Sequence, residues 1–271
     1  MVTMLGLGAC SITATQPGNS SYTAAIPVTQ TFNVIQSSQQ SISFGAISTQ
    51  GAGGTPLAIS ATASSGLPVT FASGTKSVCA VSGNVTTTLT AGTCSITASQ
   101  PGNAAWSAAP PVTQSFAVMP NLITNGGFET GSLSPWTLSA GAGKATAALD
   151  GTTAADGTNS AHVNVTSAAP SNWQIDFASA RFPLVSGKQY TISFWVKSDV
   201  VQTIQVAMQG GPPSYSYYGM NTMFSVGTTW TRDSLTFKAT ATANDTSLEF
   251  FLGGKASNIW LDDVQVYATG N

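Results

Sequence analysis

From residue 121 onward, apolar side chains recur at every second position. Tyr190, Ile192, Phe194 and Val196 share one parity, as do Ile204, Val206 and Met208, and again Leu248, Phe250 and Leu252. This period of two predicts half-buried strands, and no stretch carries a convincing helical period. The fold class expected is all-β, and a segment of this length built from strands predicts a β-sandwich jelly roll. The stretch 35–119 shows the same alternation at Leu57, Ile59 and Ala61, at Val69 and Phe71, and at Cys94, Ile96 and Ala98. Turn signals such as Ser82-Gly83-Asn84 and Gln100-Pro101-Gly102-Asn103 separate these runs, as in a smaller antiparallel sandwich.

The first part is internally repeated. Gly8-Ala9-Cys10-Ser11-Ile12-Thr13-Ala14-Thr15-Gln16-Pro17-Gly18-Asn19 returns 84 positions later as Gly92-Thr93-Cys94-Ser95-Ile96-Thr97-Ala98-Ser99-Gln100-Pro101-Gly102-Asn103. At the same offset Pro27-Val28-Thr29-Gln30-Thr31-Phe32 returns as Pro111-Val112-Thr113-Gln114-Ser115-Phe116. That period exceeds the roughly 20–50 residues of solenoid repeats, so each copy is expected to be a small domain. Three domains follow: a truncated repeat at 1–34, a complete one at 35–119, and a separate domain at 120–271. Cys79 and Cys94 fall on neighbouring predicted strands of one copy, where a disulfide closes a short loop; two buried thiols are the alternative. Cys10 aligns with Cys94, and its counterpart of Cys79 is expected before residue 1. The copies resemble the Ig-like repeats of large bacterial secreted and surface proteins, with their paired Cys and a Gly-Asn-x-x-Tyr/Trp-x-Ala-Ala segment.

Composition sharpens the boundary. Charged residues are 7% of the chain against about 25% in ordinary soluble domains, and Lys76 is the only charged side chain before residue 120. The first part therefore reads as a spacer without catalytic groups. A net charge of -2 lacks the basic footprint that binding a phosphate backbone needs, which argues against nucleic acid. No run of about eighteen apolar residues suggests a bilayer span, and a soluble monomer is expected. The first ten residues lack Lys and Arg and resemble no export signal. The cysteine pairing nonetheless favours an extracellular or cell-surface setting.

The last part resembles a known family. Asn121-Leu122-Ile123-Thr124-Asn125-Gly126-Gly127-Phe128-Glu129, then Trp136, Gly187-Lys188-Gln189-Tyr190-Thr191-Ile192-Ser193-Phe194-Trp195, Trp230 and Ile259-Trp260-Leu261-Asp262-Asp263-Val264 look like a carbohydrate-binding module of the grouping of families four, nine, sixteen and twenty-two. The resemblance covers roughly 121–268. It implies a β-sandwich that binds plant or microbial polysaccharide, xylan or β-glucan foremost, often beside a glycoside hydrolase.

A sugar ring has an apolar face and a polar edge, so its site needs exposed aromatics together with amides or carboxylates. Tyr215, Tyr217 and Tyr218 in a turn-rich segment are candidates. So is Trp173, read on a short strand where the family places a stacking aromatic, with Gln174, Gln209 and Glu249 for hydroxyls. Trp136, Trp230 and Trp260 are expected to be structural, and His162, the only histidine, to pack on a strand. The apolar parity of Ile259 and Leu261 shifts to Val264 and Val266, which predicts a bulge that turns one aspartate inward. The resemblance implies a structural calcium there, with Glu129, Asp263 and the Asp156-Gly157 turn as ligands; hydrogen bonding to backbone amides is the alternative. Two other functions stay open: a glycosidase using Glu129 and Glu249, and a structural or adhesion segment that binds no glycan.

Overall fold

The computed structural model describes residues 2–142 and 144–270. The earlier part carries β1 (Gly8–Ala14), β2 (Val28–Val34), β3 (Ile42–Phe44), β4 (Gln50–Gly51), β5 (Leu57–Ala58), β6 (Ala61–Ala63), β7 (Thr70–Ser73), β8 (Cys79–Ser82), β9 (Val85–Thr88), β10 (Gly92–Ser99) and β11 (Val112–Met119). The later part carries β12 (Thr137–Ala140), β13 (Lys144–Asp150), β14 (Ser160–Ser167), β15 (Ile175–Ala178), β16 (Phe182–Leu184), β17 (Gln189–Ser198), β18 (Gln202–Gly210), β19 (Tyr217–Val226), β20 (Thr231–Lys238), β21 (Ala243–Phe251) and β22 (Ser257–Gly270). Among the described residues the only helical element is the 3-10 turn Asn172–Gln174. The chain is all-β.

Two compact units are present. One gathers the residues up to Gly45 with Ser60–Thr70 and Ala98–Thr113. In it β1 and β2 pair antiparallel, Cys10 opposite Phe32 and Ile12 opposite Gln30, with hydroxyls bonded across the ladder at Ser11–Thr31 (2.9 Å) and Thr13–Thr29 (2.8 Å). The repeated Gln-Pro-Gly-Asn folds identically in both copies. Asn19 Oδ1 accepts the N–H groups of Ser21 and Tyr22, and Asn103 Oδ1 those of Ala105 and Trp106. Gly18 and Gly102 take φ of 75° and 79°, which glycine alone adopts without strain. Gln40 bonds Gln100 at 2.7 Å, and β3 pairs with β6.

The other unit gathers Ala46–Ile59, Phe71–Thr97 and the described residues from Gln114 onward. It holds most of a sheet in the order β4-β11-β10-β7, a smaller one in the order β5-β9-β8, and the disulfide Cys79–Cys94. From β12 onward two sheets face each other, β12-β15-β21-β18-β19 with β16 beside β21, and β13-β14-β22-β17-β20. The apolar parity of every strand points between them. Phe177, Val206, Met208, Leu248 and Phe250 of one sheet meet Val163, Ile192, Phe194, Ile259, Leu261 and Val266 of the other, all buried. Phe194 and Phe250 meet edge to face at 5.1 Å across the layer, and Trp136 stacks on Phe177 at 5.1 Å.

Candidate functional site

Alternation also decides what the first sheet shows on its outer face. With Ile175, Phe177, Leu248 and Phe250 turned inward, Asp176, Glu249 and Phe251 turn out. The register sets Asp176 beside Ser139 and Phe251, Glu249 between Ala178 and Ala207, and Gln209 beside Tyr217. This face is the floor of a cleft of about 850 Å³ lined by Trp173, Gln174, Asp176, Gln209, Tyr215 and Tyr217, with Phe251 and Ser139 among the rest.

Three aromatics stand free in it: Trp173 is 59% exposed, Tyr215 57% and Tyr217 43%. Trp173 lies in the 3-10 turn rather than on the strand read from the sequence. Gln174 Oε1 accepts the N–H of Ser171 (3.1 Å), which folds the chain back before β15 and throws the indole outward. The Tyr215 loop is held by Gln209 Nε2 donating to Tyr215 O (3.2 Å), and by Gly211 N donating to Asp245 Oδ2 (3.2 Å). Tyr218 is placed differently from its neighbours, since the residue after an outward Tyr217 must point inward, and it packs against the core. Asn172 Nδ2 donates to Gln205 Oε1 (2.7 Å), and Gln205 in turn bonds Asn221, an amide chain along the same face. Glu249 is buried and accepts the Ser247 hydroxyl, so it is no solvated strand residue. Asp176, Asn172, Asn221 and Phe251 were not singled out by sequence reasoning. The outward parity of Asp176 between Ile175 and Phe177 was the available signal.

A second depression of about 660 Å³ lies over the other sheet, lined largely by hydroxyls such as Thr191, Ser193, Ser234 and Thr236 with Arg232. Its aromatic, Tyr267, is buried, so it offers no free ring for stacking.

The opening and closing motifs meet away from the cleft. Val264 N donates to Gly126 O (2.9 Å), and a Cβ on Gly126 would stand 2.0 Å from Val264 O, which explains the glycine. A bulge does interrupt the β17–β22 register between Ser193 and Trp195, and Asp263 has φ 40°. Both aspartates are buried, on different partners. Asp262 Oδ2 accepts Ala155 N (2.8 Å) and Asp156 N (3.0 Å), and its Oδ1 accepts Asp263 N (2.7 Å). Asp263 instead accepts from Thr55 N (2.9 Å), the Thr55 hydroxyl and Gln265 Nε2 (3.0 Å), with Arg232 at 3.8 Å. Glu129 accepts four donors from Thr158 and Asn159 at 2.7–3.1 Å. Burial works to raise its titration, but these hydrogen bonds outweigh it and hold the carboxyl below its usual range.

Calcium takes six to eight oxygen ligands. Glu129, Asp156 and Asp263 are not gathered into a cage, and no group of three or more acidic, His or Cys side chains converges among the described residues. The carboxylate oxygens face N–H and O–H donors instead. As arranged, these residues do not fit a calcium ion. Glu129 and Glu249 likewise lie in different places, one on the motif loop and one buried on β21 of the other sheet, so they form no glycosidase pair. Trp136 is buried with its Nε1–H on Thr124 O and Asn125 O, and Trp260 lies between His162, stacked at 4.7 Å, and Lys197.

A β-sandwich with free aromatics and amides over one sheet has the make-up of a carbohydrate-binding module. Residues 120–258 match the family model described as a carbohydrate binding domain, CBM_4_9, and the chain belongs to that family. No match was found among curated proteins. Among solved structures the chain is similar to a CBM4 module at 22% identity, over 54% of this chain and 99% of that one, with a TM-score of 0.46. It is also similar to the second N-terminal cellulose-binding domain of Cellulomonas fimi β-1,4-glucanase C (16%, over 56% and 97%, TM-score 0.45). A third is the CBM22-1 xylan-binding domain of Paenibacillus barcinonensis Xyn10C (15%, over 54% and 92%, TM-score 0.42).

Proposed function

We propose that the family domain holds a polysaccharide chain, of xylan or β-glucan type, in the cleft over the β12-β15-β21-β18-β19 sheet and does no chemistry on it. The observation that carries this reading is the convergence of Trp173, Tyr215 and Tyr217, all exposed, on a cleft lined also by Gln174, Gln209 and Asp176. Apolar sugar faces stack on the rings, while Gln209 and the Asn172–Gln205–Asn221 amides meet hydroxyls. The preceding repeats serve as an Ig-like stalk of a secreted or surface protein. The Cys79–Cys94 disulfide supports an oxidising compartment.

Affinity gels with xylan, β-glucan, mannan and chitin test this on the 271-residue chain. Retardation by one class is expected, with Trp173→Ala weakening it about tenfold or more, as loss of one stacked ring does. No retardation of the folded chain by any of the four, or an unchanged Trp173→Ala, sinks the proposal and favours a structural or adhesion role.

A further inference from the structure

The outer face of β22 is polar and yet buried. Val264 and Val266 point into the core, so Gln265 and Tyr267 point away from it, and Asp263 at the bulge reaches the same side, where it accepts Gln265 Nε2 (3.0 Å). On an open sheet such residues meet water, but all three are buried. What covers them is a loop of the preceding repeat, Gly51–Thr55, which belongs to the same compact unit. Thr55 N donates to Asp263 Oδ2 (2.9 Å). The Thr55 hydroxyl donates to the same oxygen and accepts Trp195 Nε1 (3.0 Å) from β17, with Arg232 3.8 Å from that carboxylate. A buried carboxylate stripped of donors is costly, so Asp263 depends on the loop being in place.

Close approach explains the glycines. Gly51 and Gly54 are buried. A Cβ on Gly51 would stand 2.6 Å from Gln265 Oε1 and 2.8 Å from Tyr267 Cδ1, and one on Gly54 would run into Gln265 Nε2. The loop is equally fixed on its own side: Ala52 N donates to Met119 O (2.9 Å), Gly53 N to Thr88 O (3.1 Å), and the Thr88 hydroxyl to Gly51 O (2.8 Å). The covalent junction adds a second attachment. Only Pro120 stands between the end of β11 and Asn121, whose Oδ1 accepts Val266 N (3.0 Å), and Leu122 N donates to Val266 O (2.7 Å).

Domains joined by a linker ordinarily move against each other, and a single tether permits rotation about itself; two tethers at separate points do not. We infer that the outer face of β22 is a docking surface for the Gly-Gly-Thr loop of the preceding repeat, and that this contact makes the β5-β9-β8 sheet a rigid mount for the carbohydrate-binding domain. The cleft lies over the other sheet of the sandwich, so the mount grips the domain from behind and leaves the cleft open. The mount stands apart from the glycan reading and holds whatever the cleft takes.

The test is made on the full chain by NMR. In a weakly aligning medium the amides of β8 and β9 and those of β17 and β22 should fit one common alignment tensor, and the Thr55 amide should exchange with solvent about a hundredfold more slowly than an open-loop amide. Gly54→Val, which wedges the loop off Gln265 and leaves Thr88 and Met119 alone, should split the fit into two tensors and return Thr55 to open-loop exchange, with the core amides of the sandwich still protected. Thr55→Val keeps the backbone N–H and loses the hydroxyl, and should speed exchange of the same amide about tenfold. Two tensors in the wild-type chain, open-loop exchange at Thr55, or a Gly54→Val chain that behaves as wild type overturns the rigid mount. Where Gly54→Val fails to fold, an unchanged exchange rate in Thr55→Val overturns it. Retardation by a polysaccharide is read separately and bears on none of these outcomes.

Discussion

Asp262 and Asp176 are both carboxyls withdrawn from water in the same β-sandwich, and they fare very differently. Asp262 receives three backbone N–H groups, and burial, only partly offset by them, leaves its carboxyl pushed up to about 6. Asp176 receives no donor on Oδ1 and faces a second acid, and its carboxyl is driven much further up. Burial alone therefore does not set the cost; the supply of donors does. Where donors are complete, the acid ties a loop to a strand. Where they are missing, the fold keeps a buried carboxyl oxygen without a partner.

The largest expected effect comes from breaking the satisfied side. Asp262→Ala orphans the buried N–H groups of Ala155, Asp156 and Asp263, and should lower stability by about 2–4 kcal/mol, read by denaturant melts. Removing the unsatisfied acid should do the reverse. Asp176→Asn is expected to stabilise by about 1–2 kcal/mol at pH 8, roughly 2–8 °C in melting temperature, and by less at pH 5. The sign follows from linkage. A carboxyl raised in the folded state contributes stability that is full below its unfolded value near 4 and lost as pH rises through the folded one. A smaller effect belongs to Asp262, whose contribution is lost between pH about 4 and about 6. Asp262→Asn should flatten the wild-type slope of melting temperature in that window. The smallest concerns calcium: with donors already filling these carboxylates, excess calcium or EDTA should shift the melting temperature by less than about 1 °C. A larger stabilisation by calcium would restore the metal, with Glu129, Asp156 and Asp263 as its ligands.

Strand parity made much of the fold legible from sequence, because a half-buried strand writes its two faces into alternate positions. Ile192, Phe194 and Val196 were read as core on this ground and are buried. The same rule, applied strictly, separates Tyr217 from Tyr218 and exposes Asp176. It went unused there because a run of tyrosines reads as a loop. Trp173 was legible as a candidate, but its 3-10 turn was not, since Gln174 folding back on Ser171 leaves no periodic trace. Which aspartate meets the Asp156 turn depended on the bulge geometry at φ 40°, and a parity shift locates a bulge without saying how each side chain leaves it. The second acid near Asp176, Glu249, lay 73 positions away on β21, beyond any local pattern.

The repeated hairpins differ in surroundings despite near-identical sequence: Ile12 of β1 is 39% exposed, whereas its counterpart Ile96 on β10 is fully buried. This duplication poses a contest during oxidative folding. Cys79 meets two thiols in matching sequence settings, Cys94 at a separation of 15 residues and Cys10 much farther along the chain. Closing the longer loop costs about 1 kcal/mol more entropy, so random encounter already prefers the native bridge several-fold. Where two copies spell the same hairpin, distance along the chain becomes the proofreader.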